Sequence, residues 1–267
     1  MTSPEAPYRY TEWAPSPALA PWVLSFWQFE AADTLTAATP YTVWPDGCAS
    51  IVLLRITDQR GPILFVGPRH TAMSPPVLPG QRLIGIRLWS DAIGAVLGMK
   101  AAVLRDWVGP ASASVAEEFA SLDAALDVRV SRDVERSVID HWLVARLHAA
   151  VQPAGPVRGA IRAIAAAGGE GALRAIIPTG GLGARQLQRR FRAETGLTMQ
   201  EDARVRRLRS ALALQLQQRL TGWSRIAAET GFVDHAHLTR EFVAPTGLRP
   251  RHAATHLAGT QHSAVTP

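Results

Sequence analysis

The sequence of 267 residues has few of the residues that bind metals or form disulfides, and it has no long apolar run. Its single cysteine, Cys48, excludes an internal disulfide and any zinc site built from several thiolates, which is typical of a protein in a reducing compartment. Nowhere do about eighteen apolar residues follow one another, and residues 1–7 have no basic region followed by an apolar core. We therefore expect a cytoplasmic protein with neither an export signal nor a membrane span.

Histidine is also scarce, because His70 is the only one before His141. A metal-dependent enzyme needs clustered ligands, so we expect no metal and no cofactor in this half. Cys48 has no Lys, Arg or His beside it in the sequence to lower the pKa of its thiol, which favours a small buried residue over a redox sensor. No catalytic nucleophile or metal cluster is visible in residues 1–150, and we expect a protein that is not an enzyme.

Charge divides the chain into two parts. Residues 1–154 hold 12 Arg and Lys against 15 Asp and Glu, whereas residues 155–267 hold 16 against 7, so the net charges are −3 and +9. The length also suggests two domains, each with enough apolar residues for a core. The excess of positive charge in the C-terminal part is what phosphate binding requires.

An internal repeat lies in this basic part. The eleven residues 187–197 and the eleven residues 238–248 agree at seven positions with an offset of 51. In each copy a Leu and a Phe stand four residues apart on one helix face, and a Thr-Gly pair follows that can end the helix. The repeat therefore predicts two copies of one supersecondary unit.

The opposite face of the first copy carries hydrogen-bond donors and no acid. Arg185, Gln188, Arg189 and Arg192 are spaced i, i+3, i+4 and i+7 along one stripe. A basic stripe is by itself more often a solvated helix face. Its repetition, with Arg240 at the matching point of the second copy, favours two helix-turn-helix units whose second helices enter the major groove of DNA.

The helices that precede the two copies differ. In the second unit, Ile226 and Ala227 form an apolar face, Gly231 makes the turn and Asp234 is the expected N-cap of the recognition helix. In the first unit, Pro178 and Gly180 crowd the end of the preceding helix, which we expect to be short. Between the units, residues 200–218 have helical periodicity and a length of roughly 28 Å, near the ~34 Å turn of DNA. One chain could therefore reach two consecutive major grooves.

These motifs resemble the bacterial AraC/XylS transcriptional regulators, whose DNA-binding domain is two helix-turn-helices joined by a long helix. The resemblance covers about residues 156–256, and its strongest motif runs from Ile226 to Phe232 and on through Phe242 to Pro250. Departures are Pro178 with Gly180, Pro245 and Ala253. The expected partner is double-stranded DNA, and the expected contacts are Arg185, Gln186, Gln188, Arg189, Arg192, Arg207, Asp234, His235, Ala236, His237, Thr239 and Arg240.

The pattern of the N-terminal half predicts short strands that are separated by Pro, Gly and Asp turns. The expected strands are Trp22–Glu30, Tyr41–Thr57, Pro62–Gly67 and Arg82–Trp89. Helices are expected at Asp91–Met99, Ser114–Leu126 and Arg132–Ala149. The apolar face of the last helix could pack on the sheet or on its copy in a second subunit, so a homodimer is one of two alternatives.

The turn Pro45–Cys48 and the segments Val66–Pro68 and Leu83–Trp89 also resemble the cupin-like sensor domain often joined to this DNA-binding domain. The fold class expected is α+β, with an N-terminal antiparallel β-barrel plus helices and an all-α C-terminal domain. We assign residues 1–151 to a sensor and dimerisation domain, 152–157 to a linker, 158–258 to the DNA-binding domain with units at 172–196 and 222–247 joined by helix 200–218, and 259–267 to a disordered tail.

The resemblance implies a small-molecule effector, and four residues could contact it. A pocket of guanidinium groups and indole faces could bind an anionic or aromatic molecule, and the candidates are Trp44, Arg69, Arg87 and Trp89. The structural alternative for each is a buried ion pair or an ordinary core tryptophan. Two other functions stay open: an enzyme with an appended DNA-binding domain, and a DNA-repair protein that uses Cys48 as an alkyl acceptor.

Overall fold

The computed structural model describes residues 7–57, 59–126, 131–168, 183–217, 222–253 and 260–263. Its N-terminal part is a sheet packed against helices, and its C-terminal part is helical. The strands are β1 (Tyr8–Trp13), β2 (Val23–Ala31), β3 (Thr39–Pro40), β4 (Ala49–Ile56), β5 (Gln59–Val66), β6 (Pro76–Val77), β7 (Gln81–Leu88), β8 (Val108–Pro110) and β9 (Thr260–Ser263). The mixed α and β composition agrees with the fold class expected from the sequence.

The main sheet is open at both ends. Its strand order is β8-β5-β4-β7-β2-β1-β9, and the small pair β3 and β6 forms a second sheet. All neighbours in the main sheet are antiparallel except β1 and β9, which are parallel. Among the described strands, the terminal strands β8 and β9 do not pair with each other, so the closed barrel expected from the sequence is not confirmed.

Helices cover one face of this sheet. Phe26, Ile86 and Ile51 stand side by side on the adjacent strands β2, β7 and β4, and all three are buried. They belong to one core with Phe119 and Ile139, which lie on the helices α2 (Ala113–Ala125) and α3 (Arg132–Leu147). The burial of these apolar side chains is the main source of stability in this part.

A short helix, α1 (Ile93–Leu97), and two 3-10 turns, Ser90–Ala92 and Ala101–Leu104, lie between β7 and β8. The helices that follow α3 are α4 (Pro156–Ala166), α5 (Ala184–Thr195), α6 (Met199–Gln217), α7 (Trp223–Glu229) and α8 (His235–Thr246). Pro156 is the first residue of α4, where its fixed φ suits a helix and its missing N–H costs nothing.

The long helix α6 belongs to two separate cores. Its first half supplies Met199 and Ala203 to a core with α4 and α5. Its second half supplies Leu208, Ala211 and Leu212 to a core with α7 and α8. The helix α6 therefore connects a first helical unit, of which α4 and α5 are described, with a second unit formed by α7 and α8.

Two domain boundaries differ from those expected from the sequence. The helix α4 begins at Pro156, inside the segment 152–157 that was expected to be a linker. Residues 260–263, which were expected in a disordered tail, form β9 instead, because the backbone groups of the edge strand β1 offer hydrogen-bond partners to a parallel segment. The first helix of the first unit, expected within residues 172–182, lies outside the described residues.

Candidate nucleic-acid interface

The helix α5 separates a buried side from a polar side. Leu187, Phe191 and Thr195 are buried, whereas the four predicted donors Arg185, Gln188, Arg189 and Arg192 are all exposed. Within the described residues no carboxylate forms an ion pair with these four. The next arginine along, Arg190, is different because it pairs with Glu194 at 3.0 Å. The stripe of donors that the sequence predicted is therefore present and accessible.

Gln186 has a local structural role at the start of α5. Its Oε1 accepts a hydrogen bond of 3.2 Å from the backbone N–H of Gly183, the residue before the helix. Such a bond satisfies one of the donors at the helix start. Gln186 is exposed but one end of its amide is engaged, so it is a weaker candidate for reading bases than its neighbours.

The helices α5 and α8 end in the same way. Thr195 Oγ1 donates to the carbonyl oxygen of Phe191 at 2.8 Å, and Thr246 Oγ1 donates to that of Phe242 at 2.6 Å. A glycine with positive φ follows in each copy, at +79° and +69°, and supplies the left-handed residue that stops the helix. The repeat in sequence is thus a repeat in conformation.

The second unit has the predicted turn and cap. Gly231 has a φ of 72°, and the N–H of Phe232 bonds the carbonyl oxygen of Ala227 at 2.9 Å. Asp234 is the N-cap of α8, because its Oδ1 accepts from the N–H of His237 at 2.6 Å. These contacts form the turn between α7 and α8.

The predicted contacts on α8 are not equally accessible. His235, Ala236 and Arg240 are exposed, whereas Thr239 is half-buried. His237 Nδ1 accepts a hydrogen bond from the N–H of Val233 at 3.2 Å, and its ring packs against Phe232. His237 therefore helps to hold the turn between α7 and α8.

The arginines of α6 mostly form internal contacts. Arg204 makes two hydrogen bonds of 2.6 Å to Glu241, joining α6 to α8 and lowering the pKa of that carboxyl group. Arg206 pairs with the buried Asp202 at 2.9 Å. Arg207, a predicted DNA contact, is half-buried with its guanidinium 4.8 Å from the centre of the Phe232 ring.

The four predicted effector contacts are all used within the protein. The buried Arg87 pairs with Glu12 at 2.6 Å and with Asp46 at 2.8 Å. Trp89 donates its indole N–H to Ala20 and packs near the first helical core, while Trp44 packs on Phe242 of the second. The structural alternative thus describes these three side chains better.

Arg69 also bonds within the chain, to the carbonyl oxygen of Thr71 at 3.1 Å. An open pocket of about 270 Å³ lies elsewhere, between the β1–β2 pair and α3, and it is lined by Trp13, Ala14, Phe26, Arg136, Ser137, Asp140 and His141. No pattern in the sequence predicts this pocket, because its residues come from three segments that are far apart in the chain.

Cys48 is buried, and burial raises the pKa of its thiol to about 12. A thiol held in its neutral form is a poor nucleophile, which disfavours both the redox sensor and the alkyl acceptor. Across the described ranges, no three of His, Cys, Asp and Glu are placed to hold a metal ion. Among the helices described, none is long and apolar enough to cross a membrane.

Comparison with known protein families follows the same division of the chain. Residues 180–255 match the model of a family described as a helix-turn-helix domain. This part of the chain is therefore similar to a helix-turn-helix domain. The matched residues include α5, the long helix α6 and the whole α7–α8 unit. Residues 11–110 match a domain of unknown function, DUF6597, and this range runs from the middle of β1 to the end of β8, without α2, α3 and β9.

No curated protein sequence matches the chain. Among solved structures, ToxT from Vibrio cholerae O395 aligns with 96% of this chain and 100% of its own, at 9% identity and a TM-score of 0.41. Wild-type ToxT with a bound unsaturated fatty acid aligns with 98% and 100%, at 7% identity and a TM-score of 0.41. Scores and identities this low do not establish a shared fold.

Proposed function

We propose that this protein is a sequence-specific, DNA-binding transcriptional regulator of the AraC/XylS type. One observation carries the proposal: Arg185, Gln188, Arg189 and Arg192 stand exposed on one face of α5 without carboxylate partners among the described residues. A row of long donors on a helix of a helix-turn-helix domain suits the acceptor-rich edges of guanine and adenine in the major groove.

The spacing of the two units supports the same proposal. The helix α6 has 19 residues and carries one unit on each half. At ~1.5 Å per residue it is roughly 28 Å long, close to the ~34 Å that separates successive major-groove faces on one side of the duplex. The two recognition helices would then read two half-sites about one turn apart.

The two helices differ in the number of long donors. Shifted by 51 residues, Arg185, Gln188 and Arg189 correspond to Ala236, Thr239 and Arg240. The first helix would therefore contribute more direct contacts to bases. Arg192 and Arg207 would neutralise phosphates, which contributes affinity for every sequence and makes binding depend on salt.

Selection from a random pool of DNA duplexes by the full chain tests this function. We expect enrichment of one sequence that contains two half-sites, and a gel shift in which this duplex outcompetes a scrambled one by at least about a thousandfold. Enrichment of no sequence, or equal competition by scrambled DNA, would contradict the proposal.

We also propose that the N-terminal domain responds to a small molecule bound in the pocket between β1, β2 and α3. The pocket combines the buried ring of Phe26 with the guanidinium of Arg136, which lies 4.6 Å from the centre of the Trp13 ring. Native mass spectrometry of the purified full chain would reveal a retained molecule, and Arg136→Ala should release it. Retention by that variant would place the effector elsewhere.

A homodimer through α3 is the remaining part of the proposed function. Val134 and Val144 of this helix are 47% and 36% exposed, so its outer face offers apolar surface. Sedimentation equilibrium should then detect a dimer that Val144→Glu weakens. A monomer at all concentrations would contradict this part alone.

A further inference from the structure

The N-terminal domain contacts the first helical unit at the end of its recognition helix. Arg105, just after the 3-10 turn Ala101–Leu104, donates to the carbonyl oxygen of Gly196 at 3.2 Å. It also makes hydrogen bonds of 2.7 and 3.0 Å to the carboxylate of Glu201 in the first turn of α6. A methyl group on Gly196 would come within 2.9 Å of the carbonyl oxygen of Ala101, so the two backbones are in close contact.

The second unit is held at the equivalent end of its own recognition helix. The N–H of Ala72, in the segment between β5 and β6, donates to the carbonyl oxygen of Pro245 at 2.7 Å. Carbonyl groups in the last turn of a helix have no partner within the helix, so they are available for such a bond. The N-terminal domain thus bonds to the C-terminal end of α5 and to that of α8.

Each unit is also packed against a tryptophan from the N-terminal domain. Trp89 contacts the core of the first unit. The guanidinium carbons of Arg158 and Arg206 lie 5.5 and 5.9 Å from the centre of its ring. Trp44 contacts the core of the second unit, with its ring 5.9 Å from that of Phe242. Each unit therefore has at least one hydrogen bond to the N-terminal domain and one tryptophan packed against its core.

We infer that the N-terminal domain is a clamp, formed by Trp44, Ala72, Trp89 and Arg105, that fixes the distance and rotation between the two recognition helices. The clamp holds their C-terminal ends and leaves the donors of α5 and Arg240 of α8 exposed. In the proposed function, on which this inference rests, the two helices bind two half-sites. The clamp therefore determines the spacing between half-sites that the protein accepts.

The alternative is that α6 alone sets this spacing. A continuous helix fixes the distance along its axis, but each unit is attached to it through side-chain packing and connecting loops. One added base pair moves a half-site by ~3.4 Å and turns it by roughly a tenth of a circle. The clamp supplies a second connection that resists such a movement, and its removal should therefore relax the spacing.

A distance measurement tests the clamp without DNA. Ala193 on α5 and Ala244 on α8 are exposed and occupy equivalent repeat positions, whereas Cys48 is buried and stays unlabelled. Spin labels on Ala193→Cys with Ala244→Cys should give one narrow distance distribution in the full chain. Arg105→Ala should broaden it at least twofold, and so should Ala72→Pro, which removes the other N–H donor.

The matched control is Arg60→Ala, because Arg60 also donates to a backbone carbonyl, that of Ala124, but within the N-terminal domain. It should leave the distribution unchanged. An unchanged distribution in either clamp variant that still unfolds cooperatively overturns the clamp and assigns the spacing to α6.

A second measurement connects the clamp to DNA. Gel shifts on the selected duplex, with its half-sites moved by −1, +1 and +2 base pairs, should show a steep loss of affinity for the unaltered chain. Arg105→Ala should reduce this loss at least threefold while binding a single half-site as before. A uniform loss at all spacings overturns the inference, whereas failure of the unaltered chain to select any sequence overturns the proposed function while the distance measurement still reports on the clamp.

Discussion

Arg87 shows how much a single buried charge depends on its partners. Its guanidinium lies between Glu12 and Asp46, which come from β1 and from the turn before β4, and it also donates to the hydroxyl of Tyr10 at 3.1 Å. Glu12 is itself buried. A buried ion pair adds little net stability, but removal of one partner strands the other in a medium of low dielectric.

Arg87→Leu should therefore be strongly destabilising. We expect the free energy of unfolding to fall by about 3–5 kcal/mol, because Glu12 and Asp46 would be left without their cation. Denaturation by urea would measure the loss. The control Arg60→Leu changes an exposed arginine and should cost under about 1 kcal/mol. A loss below about 1 kcal/mol for Arg87→Leu would show that water solvates the two carboxylates in place of the guanidinium.

Arg189 and Arg240 occupy the same position of the repeat, yet their neighbours differ. Arg189 stands beside Arg185 and Gln188, whereas Arg240 stands beside Ala236 and Thr239. Arg189→Ala should therefore lower discrimination between matched and mismatched half-sites more than Arg240→Ala. A bidentate contact contributes about 1–3 kcal/mol, so we expect a loss of roughly tenfold or more.

Gel shifts on the selected duplex and on single-base variants would compare the two substitutions. Arg190→Ala is the control on the same helix, because Arg190 already pairs with Glu194. It should leave the discrimination within about twofold of the unaltered chain. Equal losses for Arg189→Ala and Arg240→Ala would show that both helices read bases to the same extent.

At the level of elements, the ends of α5 and α8 offer a matched pair of glycines. Gly196 and Gly247 both have positive φ, but an added methyl group would meet the carbonyl oxygen of Ala101 only at Gly196, and at Gly247 it would meet nothing within 4 Å. Gly247→Ala should therefore cost only the left-handed conformation, about 1–2 kcal/mol. Gly196→Ala should cost clearly more, since it also separates α5 from the N-terminal domain.

Thermal unfolding of the two variants would measure this difference. Gly98→Ala is a useful control, because Gly98 ends α1 with a φ of 65° and has open space around it. It should behave like Gly247→Ala. If Gly196→Ala were no more destabilising than Gly247→Ala, the backbone at Ala101 would be able to move away from the added methyl group.

The elements with strong periodicity could be predicted from the sequence. The helices α3, α6 and α8, the four long strands and the N-cap Asp234 all depend on residues close together in the chain. Strands β1 and β9 could not, because both owe their pairing to distant backbone groups. A short aromatic segment such as Tyr8–Trp13 carries no signal of the partner that completes it.

The candidate site divides in the same way. The exposed donors of α5 follow from helical spacing, which places them opposite Leu187 and Phe191. The roles of Trp44, Trp89 and Arg105 could not be predicted, because each is decided by the surface that meets it in three dimensions. A tryptophan that lines a ligand pocket and one that bridges two domains look identical in a sequence.

Over the whole molecule, the two parts carry opposite net charge and meet through ion pairs. Arg158 of α4 pairs with Asp91 at 2.7 Å, both nearly buried, and Arg105 pairs with Glu201. A methyl group on Gly47 would lie 2.8 Å from a carboxylate oxygen of Asp202 in α6. These close contacts of charged side chains fix one arrangement of the domains. They also make this arrangement sensitive to protonation of the carboxylates.

Glu201 is the carboxylate whose titration should loosen this contact. Partial burial raises its pKa, but hydrogen bonds from Arg105 and Thr198 outweigh that effect and lower it from 4.5 to about 2. Since the folded state holds the proton less tightly than the unfolded chain, the stabilisation is complete above pH 4.5 and is lost as the pH falls toward 2. The cations near the carboxylate include Arg105, Arg204 of the same helix and, when protonated, His70 at 3.9 Å.

Glu201→Gln removes this titration and provides the comparison. We expect the variant to be less stable than the unaltered chain at pH 7, with a difference that shrinks steadily below pH 4.5 and vanishes near pH 2. Urea denaturation at a series of pH values would measure it. The control Glu194→Gln alters an exposed pair within α5 and should give a small difference at every pH. A difference in unfolding free energy for Glu201→Gln that stayed constant between pH 7 and pH 3 would contradict this expectation. The side chain would then act only as a hydrogen-bond acceptor for Thr198, and its charge would contribute nothing to the contact between the domains.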